Sequence, residues 1–180
     1  MVTLSRTAWI AGGLVARLLM IAFLAMTVQL TVNNQTKFKY EDDFYKLESY
    51  SYTVAVASIG MAGSLLQIPV SVYLLCKSKR MTPSTLVLDI SMYADVVMVT
   101  VLLATGVGAG FGATVDALRF VRAPHTSWTG GDVVKQDFIH YYNKAFYPVV
   151  FLLTGMVLSM AATVASARLR ARAANEDADV

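Results

Sequence analysis

The chain has 180 residues, of which 56% are hydrophobic and only 15% are charged, and its formal net charge is +3. Because soluble domains carry about 25% charged residues, this composition excludes a soluble enzyme, a nucleic-acid-binding protein and a disordered tail. The apolar residues are concentrated in four stretches, each longer than the ~20 residues that a helix needs to cross a bilayer. We therefore predict one membrane domain over 1–180, an all-helical bundle of four transmembrane helices. The predicted spans are 8–31, 53–76, 84–113 and 145–168.

The first stretch carries a single charge, Arg17. It is longer than the 7–15 apolar residues of a signal-peptide core, and no small-x-small cleavage site precedes Asn33, so we expect a retained helix. Two modification sites are left open by the sequence. Asn34-Gln35-Thr36 is a formal N-glycosylation sequon, and the only cysteine, Cys76, ends the second stretch where palmitoylation can occur. A single cysteine excludes an intramolecular disulfide.

The link 77–83 between the second and third stretches contains three cations and no acid. Further arginines cluster in the tail after Arg168, and Arg6 precedes the first stretch. Lysine and arginine concentrate in the short segments on the cytoplasmic side of a membrane. We therefore predict that this link and both termini are cytoplasmic. The predicted outer loops are 32–52 and 114–144.

The third stretch contains Asp95, which lies as deep in the membrane as Arg17 if both helices enter from the same side. At 1.5 Å per residue, the two side chains are roughly 13 and 16 Å from that surface. A lone charge at mid-membrane costs at least ~2.5–3.5 kcal/mol, so we predict an Arg17–Asp95 ion pair that stabilises the bundle. The alternative is a channel or transporter in which this pair belongs to a relay. The further polar groups available for a relay are Gln29, Thr100 and Thr105.

The end of the third stretch is rich in glycine, with two overlapping GxxxG pairs, Gly106/Gly110 and Gly108/Gly112. Small residues four positions apart let helices approach closely, which drives helix association in lipid. These glycines are predicted to serve helix packing, either within the bundle or between copies of the chain.

Signals for catalysis or metal binding are weak. Both histidines, His125 and His140, fall in the second outer loop without HxxxH or CxxC spacing, whereas a zinc site needs three or four converging ligands. We expect no enzyme activity, cofactor or metal. The two loops are also rich in aromatic residues, which we expect to anchor the chain at the membrane interface; a binding surface is the alternative. These aromatic residues include Tyr50, Tyr52, Tyr141 and Tyr142, and Phe146 and Tyr147 follow just after the second loop.

Several motifs in this order resemble the CASP-like family, plant four-span proteins related to Casparian strip membrane domain proteins and, more distantly, to MARVEL-type proteins. The resemblance covers about 13–167. It depends on Arg17-Leu18-Leu19 followed by Asn33-Asn34-Gln35-Thr36, on an aromatic loop leading to Tyr50, on Leu65-Leu66-Gln67, and on Asp95 followed by Leu102-Leu103-Ala104. The intramembrane arginine and aspartate are the hallmark of that family.

The resemblance implies a multi-pass plasma-membrane protein that forms homo-oligomers and hetero-oligomers with related four-span proteins. Founding members of the family build an immobile membrane platform that organises local cell-wall modification, and they are scaffolds. The implied partners are membrane lipid and wall-modifying enzymes outside the cell, and no nucleic acid. The second loop has Trp128 in a plausible family position but lacks the pair of cysteines common there, so the resemblance does not extend to a Casparian strip role in particular.

Overall fold

The computed structural model describes residues 6–36, 48–76, 93, 99–123 and 131–178. Within these residues the fold is all-helical, as predicted, and contains four long helices. They are α1 (Arg6–Thr36), α2 (Glu48–Cys76), α3 (Leu102–Arg122) and α4 (Gly131–Ala178). Residues 99–101 form a π-helical turn that leads directly into α3.

Each helix contains a segment long and apolar enough to cross a membrane. The four segments are Ala8–Asn34, Glu48–Pro69, Val99–Arg122 and Gly131–Leu169. Many large apolar side chains lie on the outside of the bundle, among them Leu66, which is 77% exposed. An exterior of this kind is unfavourable in water and favourable against lipid tails, so the outer surface is that of a membrane protein.

The four helices form an antiparallel ring in which each helix packs against two neighbours, in the order α1, α2, α3, α4 and back to α1. We call the end where α1 and α3 finish the loop end, and the end where α1 begins the terminal end. Along the α1–α4 seam, Arg17 meets Ser166 near the terminal end and Asn34 meets Tyr141 at the loop end. The start of α1 and the last part of α4 therefore lie at the same end of the bundle.

Two apolar clusters fill the interior. The middle of the bundle is packed by residues from all four spans: Met20, Leu24, Val56, Ala57, Val99, Leu103 and Leu152. The loop end is packed by an aromatic cluster from α2, α3 and α4: Tyr50, Leu118, Val121, Phe138, Tyr141, Tyr142 and Ala145.

The aromatic cluster includes residues of the segment 114–144, which was predicted to be the second outer loop. Most of that segment is helical, because α3 continues to Arg122 and α4 already begins at Gly131. Leu118 and Val121 of the extended α3 are buried against Phe138 of α4, which gives these turns a packing partner beyond the predicted spans. Burial of an apolar face stabilises a helix more than intrinsic propensity does.

Candidate functional site

Arg17 lies in the interior of the bundle, with only 4% of its surface exposed. Its Nη2 donates a 3.4 Å hydrogen bond to Oγ of Ser166, on the neighbouring turn of α4. The Ser166 hydroxyl in turn donates to the carbonyl oxygen of Ala162, at 3.1 Å. Helix α4 thus contributes a polar group to the environment of the buried guanidinium.

Asp95, the predicted partner of Arg17, lies outside the described residues. Contacts of nearby described residues give the level of Val99 relative to Arg17. Met20, three residues after Arg17, accepts a 3.3 Å hydrogen bond at its sulfur from Ser64. A Cβ on the adjacent Gly63 would lie 3.1 Å from Val99. Arg17 is therefore about one helical turn nearer the terminal end than Val99, and Asp95 precedes Val99 by four positions.

The polar residues considered for a relay are not brought together with Arg17 along an interior path. Gln29 and Thr105 lie on exposed faces of α1 and α3. Thr100 is half-buried and its hydroxyl lies 2.7 Å from that of Ser159 on α4. This hydroxyl pair joins the π-helical turn to α4.

The glycines of α3 divide into two opposite faces. Gly106 and Gly110 are buried, and a Cβ on Gly106 would lie 2.9 Å from Cγ1 of Val56. A Cβ on Gly110 would lie 2.9 Å from Cγ2 of Val149. Real Cβ contacts are not this short, so this inner pair lets α3 approach both α2 and α4 closely.

Gly108 and Gly112 form the outer pair. Both are exposed, and a Cβ on either would meet no described residue within 4 Å. Positions two residues apart on a helix differ by about 200°, which is why the overlapping pairs cannot share a face. Ala104, one turn before Gly108, is also exposed. Ala104, Gly108 and Gly112 thus make a small-residue stripe on the outside of the bundle.

Leu24 of α1 is a packing residue for which the sequence provided no signal. Its side chain is fully buried and fills the space left by two glycines on different helices. A Cβ on Gly60 of α2 would lie 3.1 Å from its Cδ1, and a Cβ on Gly155 of α4 would lie 2.9 Å from its Cδ2. One leucine in a run of apolar residues looks like any other until its neighbours are known.

Several aromatic residues expected at the membrane interface are core residues instead. Tyr50, Tyr141 and Tyr142 are all buried in the aromatic cluster, and the hydroxyl of Tyr50 lies 2.9 Å from that of Thr114. By contrast, Tyr147 is 64% exposed, and Tyr52 lies on the surface with its hydroxyl 2.7 Å from that of Thr105. The sequence alone did not distinguish the buried from the exposed tyrosines, because both kinds occur close together at the same ends of α2 and α4.

The remaining residues of interest do not converge on a reactive centre. His140 is exposed on α4, and the part of the chain that the structure describes has no group of three potential metal ligands. His125 and the side chain of Cys76 lie outside the described residues. Asn34 is half-buried, and its Nδ2 donates to the carbonyl oxygen of Tyr141 at 3.5 Å.

Four membrane-length helices packed in a ring through buried glycines define a multi-pass membrane protein. Residues 6–147 match the family model of the Casparian strip membrane protein domain. The chain therefore belongs to the CASP-like family, and the resemblance drawn from its motifs is confirmed.

Curated plant proteins match along nearly the full chain. CASP-like protein 4D1 of Ricinus communis is 30% identical over 160 residues, which cover 86% of this chain and 88% of that protein. CASP-like protein 4D1 of Sorghum bicolor is 30% identical over 177 residues, covering 89% of each chain. CASP-like protein 4D1 of Populus trichocarpa is 28% identical over 162 residues, covering 86% of this chain and 83% of that protein. No solved structure matches the chain.

Proposed function

We propose that this protein is a non-enzymatic scaffold of the plasma membrane. Copies of the chain associate with one another and with related four-span proteins to form a membrane platform, which organises local cell-wall modification by enzymes outside the cell. Membership of the CASP-like family supports the class of function. The observation that carries oligomerisation is the outward stripe of Ala104, Gly108 and Gly112 on α3.

The stripe has the properties of a helix–helix contact in lipid. Lipid tails are as apolar as leucine, so helices gain little from burying apolar side chains and instead associate where small residues allow close packing. The inner glycines already perform this task within the bundle, where they face Val56 and Val149. The outer glycines have no such partner within 4 Å among the described residues, so a second copy of the chain can occupy their face.

The test is to replace Gly108 and Gly112 by leucine and to count subunits by single-molecule photobleaching in the membrane. Because no described residue lies within 4 Å of either Cβ position, the bundle should fold normally. We expect oligomers to fall to monomers and the recovery of fluorescence after bleaching of a membrane patch to become faster.

Gly12 of α1 provides the matched control, because it is also exposed and its Cβ position has no neighbour within 4 Å in the described part of the chain. Gly12→Leu makes the same chemical change away from the stripe and should leave both measurements unchanged. Oligomers that persist in the Gly108/Gly112 variant, or that are lost equally in the control, would contradict the proposed interface.

The channel alternative is separated from the scaffold by a flux measurement. Purified protein reconstituted into liposomes should pass no ions if the Arg17–Asp95 pair is structural. Charge-selective flux that disappears in Asp95→Asn would support the channel instead. The exposed positions of Gln29 and Thr105 favour the scaffold, because neither can line an interior path with Arg17.

A further inference from the structure

A groove of about 440 Å³ lies between α1 and α4 at the loop end of the bundle. Its volume falls within the ~300–1,000 Å³ typical of ligand pockets. Residues from both helices line it: Met26, Leu30, Asn33, Asn34, Lys144, Tyr147 and Phe151. The scaffold function assigns no role to this groove.

The most apolar and the most polar lining residues lie at different positions along the helix axes. Helices α1 and α4 are antiparallel, with Phe23 against Phe151 towards the middle of the bundle and Asn34 against Tyr141 at the loop end. Met26 and Phe151 therefore form the deep end of the groove, while Asn33 and Lys144 form its mouth. From Phe151 to Lys144 the helix rises by roughly 10 Å.

Polar groups line the groove on the loop-end side of Met26 and Phe151. Lys144 provides an ammonium group at the mouth, and the residue is exposed. Asn33 and Tyr147 line the same groove and add an amide and a phenol, and both are also exposed. A lysine ammonium is a compact point charge with three donors, which suits a phosphate oxygen.

The deep end provides an apolar surface for a chain. Met26 is 42% exposed to the surroundings of the bundle. Leu30 and Phe151 are half-buried in the seam, and the ring of Phe151 is held by Phe23 at a centroid distance of 5.7 Å. A flexible thioether beside a fixed aromatic ring makes an adaptable apolar wall.

We propose that this groove binds one glycerophospholipid of the leaflet at the loop end. The phosphate of the lipid lies against Lys144 at the mouth, and one acyl chain follows the seam towards Met26 and Phe151. The charged mouth and the apolar deep end correspond to the headgroup and the acyl chain of a lipid that lies perpendicular to the membrane plane. This site differs from general lipid contact, because a bound lipid is held at both its head and its chain.

A second groove at the loop end repeats the arrangement and supports the reasoning independently. It has a volume of about 520 Å³ and lies between α3 and α4. Arg119 and Arg122 stand at its mouth, and Val115 and Phe146 lie deeper. Cations above apolar residues therefore flank α4 on both sides, as expected for a helix that contacts phospholipid headgroups.

The experiment uses the full chain in phosphatidylcholine nanodiscs that contain phosphatidylglycerol with a photoreactive group on its acyl chain. Crosslinks are located by peptide mass spectrometry. We expect labelling at Met26, Leu30 and Phe151 to exceed that at Leu66, a lipid-exposed reference on α2 that is 77% exposed. Labelling no higher than at Leu66 would overturn the proposal.

Lys144→Gln tests the headgroup contact. Loss of one lysine at a membrane surface should lower labelling in the groove about fivefold. Lys135→Gln, nine residues earlier on α4, removes an equal charge outside the groove and should have no effect. Equal losses in the two variants would show that surface charge alone attracts the lipid, and the proposal would fail.

Met26→Trp tests the chain contact by filling the deep end, and Leu18→Trp is the matched control at an exposed position of α1 away from the groove. Only Met26→Trp should reduce labelling at Leu30 and Phe151.

A competitor, inorganic phosphate, and an alternative probe, a photoreactive sterol, complete the test. Inorganic phosphate in excess should leave labelling unchanged, and a photoreactive sterol should not label the groove in a Lys144-dependent manner. Displacement by phosphate, or sterol labelling that exceeds that of phospholipid, would overturn the assignment.

Discussion

Arg17 places a charged guanidinium group in the interior of the bundle. A cation excluded from water costs several kcal/mol unless nearby groups compensate it. The Ser166 hydroxyl accepts a hydrogen bond from it at 3.4 Å, but a neutral hydroxyl supplies no negative charge. We propose that Asp95, which has the opposite charge and precedes Val99 by four positions, supplies that charge.

Asp95→Ala should reduce the free energy of unfolding by about 3 kcal/mol, because removal of one partner leaves the other charge buried. Protein abundance and placement in the membrane should fall accordingly. The double variant Arg17→Leu with Asp95→Leu should recover part of the loss, since neither charge is then left alone. Thermal unfolding in detergent, followed by circular dichroism, measures both effects.

Ser166→Ala serves as the control for this pair, because it removes the neutral partner of Arg17 and leaves both charges in place. Its cost should stay near 1 kcal/mol. Wild-type stability, abundance and placement in both Asp95→Ala and Arg17→Leu would remove the pairing hypothesis.

Glycine packing belongs to the scale of the helix, where α3 uses the same residue type for two purposes. On its inner face the missing side chain admits Val56 and Val149. On its outer face the glycines meet nothing within 4 Å among the described residues. The motif alone did not distinguish the faces, because the rotation of α3 depends on contacts with α2 and α4.

Gly106→Ala and Gly108→Ala should therefore change stability in opposite directions. The new methyl group at Gly106 would lie 2.9 Å from Val56 Cγ1, and such overpacking should cost about 1–3 kcal/mol. The methyl group at Gly108 meets open space, so the higher helix propensity of alanine should add up to about 0.5–1 kcal/mol. The melting temperatures of the two variants in detergent micelles, compared with that of the unchanged protein, measure these effects. Shifts of the same sign would contradict the assignment of the two faces of α3.

The ends of the helices show the limit of prediction from hydropathy at the same scale. The apolar stretches located the four spans, but the aromatic cluster extends α3 to Arg122 and lets α4 begin at Gly131. Tyr142 and Tyr147 are the same residue type in the same part of α4, yet Tyr147 is exposed and the side chain of Tyr142 is fully buried. Burial of these rings depends on which helices meet at the loop end.

On the scale of the whole molecule, the antiparallel ring places the start of α1 and the last part of α4 at one end of the bundle. Gly13 near the start of α1 packs against Ala165 in the last part of α4. A Cβ on Gly13 would lie 3.4 Å from Cβ of Ala165. The ring does not specify which side of the membrane this end faces. We predict the cytoplasm, because 77–83 and the tail after Arg168 concentrate positive charge next to span ends.

A split fluorescent protein tests this orientation. A small fragment fused to the C-terminus should complement a partner fragment expressed in the cytosol. The same fragment inserted into the connection between α3 and α4, within 124–130, should complement only a secreted partner. The opposite pattern would reverse the orientation and move the groove at Lys144 to the cytoplasmic leaflet.

The sequence by itself determined that this protein has apolar helices long enough to cross a membrane, four of them among the described residues, and that it belongs to the CASP-like family. Bilayer thickness sets the length of an apolar helix, and the order of motifs around Arg17 and Asp95 is a property of the chain alone. Only the tertiary structure decided which glycines pack inside, which tyrosines are buried, and how Leu24 fits between Gly60 and Gly155. These outcomes depend on the rotation of each helix about its axis, and that rotation is set by contacts between residues far apart in the sequence.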